Sequence, residues 1–122
     1  MMKKLVWPVV MLLLGLSSCY YDKADVLYPS VACDTSTTVS YTQKIVPIFQ
    51  SSCYGCHTSP GSGGGILMGT YTLDKAMAVN GSLYGSVAHS NGYSPMPKGA
   101  SKLSVCQLQL IKKWIDNGSP NN

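Results

Sequence analysis

The densest group of chemically capable side chains in the sequence is Cys53-Tyr54-Gly55-Cys56-His57. Cys-X-X-Cys-His is the attachment pattern for c-type haem. The two thiols sit on one turn of backbone, where they can add to the two vinyl groups along one porphyrin edge, and the adjacent imidazole then lies under the iron. The expected roles are therefore haem thioethers for Cys53 and Cys56 and proximal iron ligand for His57, with one haem c per chain. Two other chemistries use the same cysteine spacing. A thioredoxin-like dithiol calls for a strand ahead of the motif in an α/β chain, and the sequence before Cys53 does not supply one. A zinc site calls for a second ligand pair at similar spacing, which Cys33 and Cys106 do not form.

A filled sixth position on the iron would have to come from a thioether or a second imidazole. Met96 is the preferred distal ligand, because Pro95 and Pro97 stiffen the backbone on both sides of it and hold the sulfur on an irregular loop. Met77 falls inside an expected helix. Met68 stays open as an alternative, since the eleven residues separating it from His57 reach about 36 Å when extended. His89 is the other, and it would give a bis-histidine haem of lower potential.

The elements that must position these groups are short. Residues Tyr41 to Gln50 fit a helix running directly into Cys53, with Pro47 in its first turn or kinking it. The stretch Ser59 to Gly65 is a flexible loop, and it has no lysine or threonine placed to cradle phosphate. Short helices are expected from about Thr72 to Val79 and from about Ser82 to His89, each preceded by a capping hydroxyl. Ser90 to Ser101 reads as loop. The last helix has the plainest signals: Ser104 and Gln107 form a capping box, and Leu103 with Leu108 forms a hydrophobic staple. Leu108, Ile111 and Ile115 follow at helical spacing beside Leu110 and Trp114. Gly118 stands where a left-handed cap is needed and Pro120 stops the helix. The fold class is all-α.

The chain has 122 residues, of which only 11% are charged. That is enough for one loop-rich domain with a modest core, the kind that leans on disulfides, metals or a large cofactor. Lys3 and Lys4 followed by the apolar run Leu5 to Leu16 read as an export signal, since twelve residues fall short of the roughly 20 that span a bilayer. The signal occupies residues 1–18, and its junction Leu16-Ser17-Ser18-Cys19 resembles a lipobox, so Cys19 is expected to carry the lipid. Two acyl chains with an N-acyl group suffice for stable attachment. Residues 19–39 form a tether and 40–122 the domain. Once lipid and haem have taken their cysteines, Cys33 and Cys106 remain, and export favours a disulfide between them. From Cys19 onward seven Lys face five Asp, a balance of +2, with no Arg, no Glu and no basic stripe, so nucleic acid is not an expected partner.

The run from Ser40 to Asn122 resembles small monohaem class I cytochromes c, in particular the lipoprotein-type domains of Bacteroidota. The matching stretches are Ile45 to Phe49 ahead of the Cys53–His57 motif, Gly81 to Val87, Met96-Pro97-Lys98-Gly99, and Lys112 to Asn122. The resemblance implies a cytochrome c fold in which first and last helices cross around the haem, with Ile48, Phe49, Leu108, Ile111, Trp114 and Ile115 at the crossing. It also implies a methionine ligand in the Met-Pro setting of Met96. The expected function is single-electron transfer between redox proteins, without enzyme activity, by a monomer lipid-anchored in the cell envelope to inner or outer membrane. The alternatives are a five-coordinate haem protein that binds or reduces peroxide or nitric oxide, and a haem-free lipoprotein whose cysteines form only disulfides. A peroxidase would need distal acid and base groups, and outside the motif only His89 is a candidate. Lys98 and Lys102 could steer an acidic partner, although so few charges focus little at physiological salt.

Overall fold

A computed structural model describes residues 33–122. The export signal at 1–18, the lipid site at Cys19 and the tether up to residue 32 lie outside the described residues. Within them all regular structure is helical, with five α-helices and no strand.

The first helical segment opens as a wide π turn, Tyr41–Ile45, and continues as α1, Val46–Ser52. Ser40 caps it, its Oγ accepting from the Gln43 amide at 3.3 Å. Pro47 lies in the first turn of α1, where the missing N–H costs least. The wider turn ahead of it, in which Val46 N–H donates to the Tyr41 carbonyl, is one way a helix adjusts its register around such a residue. The helix runs two residues beyond Gln50 and breaks at Cys53, whose φ of −126° and ψ of −50° separate α1 from the single turn α2, Tyr54–His57.

A 3₁₀ turn at Gly63–Gly65 leads to α3, Tyr71–Val79. Its cap is Thr70, accepting from the Leu73 amide at 3.4 Å. α4, Ser82–Val87, departs from expectation at both ends. No hydroxyl precedes it: Gly81 occupies the cap position, and the Asn80 carboxamide oxygen accepts from the Ser82 amide at 2.9 Å. It stops short of His89, because that residue turns left-handed with φ 55°.

The last helix, α5, spans Val105–Asp116 and has both halves of the Ser104/Gln107 capping box. At its other end Gly118, at φ 85°, permits a complete Schellman closure. Its N–H reaches the Ile115 carbonyl, and the Ser119 N–H reaches that of Trp114. Trp114 then donates from Nε1 to the Pro120 carbonyl at 2.9 Å, folding the tail back.

The core joins the first segment to the last. Ile45, Phe49, Ile111 and Trp114 have no exposed surface. Tyr41 stacks on Trp114 at 5.4 Å between ring centres, and Phe49 meets the same indole edge-on at 6.2 Å. Of the residues expected at this crossing, Leu108 and Ile115 are only partly buried. Asn122 completes the joint, its carbonyl accepting from Thr42 N–H at 3.0 Å and its side-chain oxygen from Tyr41 N–H at 2.8 Å. Cys33 and Cys106 are disulfide-bonded with Cα atoms 5.1 Å apart, which attaches the start of the described chain to the first turn of α5.

Candidate functional site

A cavity of about 860 Å³ opens between the Cys53–His57 turn, the segment Ile66–Met68, the adjoining parts of α3 and α4, and the loop carrying Met96. Its size suits a cofactor pocket. Cys53, Cys56, His57 and Met96 all line it, as do Met68, Met77 and His89.

Cys53 and Cys56 are free thiols, the first half-buried and the second exposed. Burial pushes the Cys53 thiol up to about 11, and the negative charge of Asp74 adds to the effect. The break between α1 and α2 falls at Cys53, so the short turn of α2 brings Cys56 and His57 to the same cavity wall. There His57 is buried. Its ring Nδ1 stands 3.1 Å from the Ile66 carbonyl. A carbonyl only accepts, so Nδ1 carries a proton, and the neutral ring with that tautomer keeps its lone pair on Nε2, the form in which imidazole ligates metal. Two further features hold this ring. The Met68 amide donates to the His57 carbonyl at 2.7 Å. Gly63 also packs so closely that a Cβ there would collide with the imidazole.

The three cavity thioethers differ in setting. Met68 is buried, in the segment that anchors His57. The Met77 sulfur accepts from Ser82 Oγ at 3.5 Å. Met96 is held by its backbone: its N–H donates to the Ser86 carbonyl at 3.1 Å and its carbonyl accepts from His89 Nε2 at 3.0 Å. His89 therefore uses Nε2 to hold the Met96 loop.

Asp74 escaped the sequence reading. It is fully buried, and its Oδ2 accepts from Tyr41 Oη at 2.8 Å and from Tyr54 Oη at 2.5 Å. Oδ1 accepts from the Gly69 amide at 3.0 Å. The available signal was positional, because Asp74 shares a helical face with Tyr71 and Ala78 at spacings of three and four,. Among the described residues no three His, Cys, Asp or Glu side chains converge to hold a metal ion, and no helix is long and apolar enough to cross a membrane. No family model, curated protein or solved structure matches this chain.

Proposed function

We propose that the protein is a monohaem c-type cytochrome that carries single electrons between redox proteins, tethered to a membrane of the cell envelope through a lipid on Cys19. The observation that carries the reading is the joint placement of two free thiols and a histidine whose Nδ1 is already engaged, all facing one cavity that Met96 also lines. The donor set fits haem: Cys53 and Cys56 would hold it by thioethers, and His57 Nε2 and the Met96 sulfur would hold its iron. Haem iron supplies reversible one-electron chemistry when bound. The protein's own part is to retain the group, orient the imidazole through Ile66 and keep water from it with the apolar wall of Ile66, Met68, Leu83 and Val87. Packing of the first helical segment on α5 through Tyr41, Phe49 and Trp114 is the joint that a cytochrome c arrangement needs.

The five-coordinate alternative draws no support from His89, whose Nε2 is committed to the Met96 carbonyl. The test is to purify the full chain from a host able to mature c-type cytochromes. A Soret band and pigment that stays with the protein through acid-acetone extraction are expected. A colourless product, or pigment that leaves with the solvent, would refute thioether-bound haem. Carbon monoxide binding by the untreated ferrous protein would point to the five-coordinate form.

A further inference from the structure

Asp74 has no exposed surface and, among the described residues, no cation beside it. Among the described residues the one ion pair is Lys112–Asp116, and Lys75, the next residue along, donates to Tyr71 Oη at 3.1 Å. The carboxylate is satisfied only by neutral donors: Tyr41 and Tyr54 on Oδ2 and the Gly69 amide on Oδ1. Burial and the bond to Asp74 push the Tyr41 phenol up to about 12 and the Tyr54 phenol up as well, so both keep their protons near neutrality. All three hydrogen bonds are donated to the carboxylate, two on Oδ2 and one on Oδ1. The result is a buried carboxylate with no counter-charge among the described residues, a costly arrangement in a domain this small.

Its position relates it to the cavity. Tyr54 lies inside the Cys53–His57 motif, so one carboxylate oxygen fastens the attachment turn. Gly69 follows Met68, whose amide bonds the His57 carbonyl, so the other oxygen fastens the segment behind the histidine. The charge is also felt at the cavity wall, where it contributes to holding the Cys53 thiol protonated.

We propose that Asp74 is a positioning residue whose buried negative charge also lowers the reduction potential of a haem held at Cys53, Cys56 and His57. This rests on the haem reading above. The ferric porphyrin core carries one net positive charge, and an electron from a redox partner cancels it while the carboxylate keeps its own charge and no proton moves. Asp74 thus attracts the oxidised centre and not the reduced one.

The experiment uses the matured full chain with Asp74→Asn and Tyr54→Phe, and measures the midpoint potential at pH 7 and the thermal midpoints of ferric and ferrous protein. Asp74→Asn should shift the potential upward and lower the ferric thermal midpoint more than the ferrous one. Tyr54→Phe keeps the carboxylate and removes a donor that offsets its charge, so the potential should move downward. A merely structural aspartate would lower both thermal midpoints alike and leave the potential in place, and that result overturns the proposal. So does an upward shift in Tyr54→Phe. If Asp74→Asn does not accumulate, the sign of the Tyr54→Phe shift decides alone, with no shift counting against. Wild-type protein without haem would sink the cytochrome reading instead, so the two failures are told apart by the first spectrum.

Discussion

At the scale of single residues, the site depends on which atoms are already engaged. His57 spends Nδ1 on a carbonyl and His89 spends Nε2 on another, so in the proposed cytochrome one imidazole would ligate the iron while the other props the Met96 loop. That difference yields the first prediction. Met96→Ala should abolish the weak charge-transfer band of a ferric His/Met haem, lower the potential and open the ferrous iron to carbon monoxide. Survival of the band in the variant would move the assignment to Met68. Its absence from the wild type would favour His89, which would first have to release the Met96 carbonyl. Thioether favours reduced iron more than imidazole does, which sets the direction of the potential change.

At the scale of elements, the bridge between Cys33 and Cys106 joins an irregular segment to α5 across a sequence separation of 73 residues. Loop-closure entropy for a ring of that length corresponds to about 4 kcal/mol. Replacing both cysteines by serine should therefore lower stability by up to about that amount, visible as a fall of up to roughly 15–30 °C in the thermal midpoint. An unchanged midpoint would show that the bridge does not constrain the unfolded chain. α5 is also where the sequence was most legible, because its cap, staple and stop signals are local: Ser104 meets Gln107 three residues on, and Gly118 closes on Ile115 and Trp114. α4 was legible only in part, since its boundaries depend on Asn80 reaching over Gly81 and on the left-handed turn at His89. For Asp74 the shared face with Tyr71 and Ala78 hinted at burial but said nothing of its partners. An aspartate in a helix ordinarily faces water, and its partners Tyr41 and Tyr54 stand 33 and 20 residues away in the chain. The Cys53–His57 turn was plain in sequence, whereas the Ile66 carbonyl that orients His57 belongs to a glycine-rich loop without regular periodicity.

At the scale of the whole molecule, Tyr41 ties three regions together, lying on the first turn, stacking on α5 and donating to Asp74 of α3. Its phenol is pushed up to about 12 by burial and by that bond, against about 10 in an unfolded chain. Below pH 10 both states hold the proton and the contribution is present in full. Between 10 and 12 the unfolded chain loses its proton first, so stability falls with rising pH. Tyr41→Phe should make that alkaline decline shallower by as much as about 1.4 kcal/mol per pH unit, measured by denaturant titration at several pH values. An equally steep decline would remove Tyr41 as its source. The same joint connects with a different feature of the molecule, the disulfide at Cys33. In a chain held to a membrane from its N-terminal side, as proposed, tension would enter the folded unit through the covalent link to Cys106 at the base of α5. The residues from 34 to 39 would stay slack, and the hydrogen-bonded seam between Ser40, Tyr41, Thr42 and Asn122 would bear no load. The disulfide is in that sense a strain relief, directing mechanical pull into a covalent bond and away from the seam that closes the core.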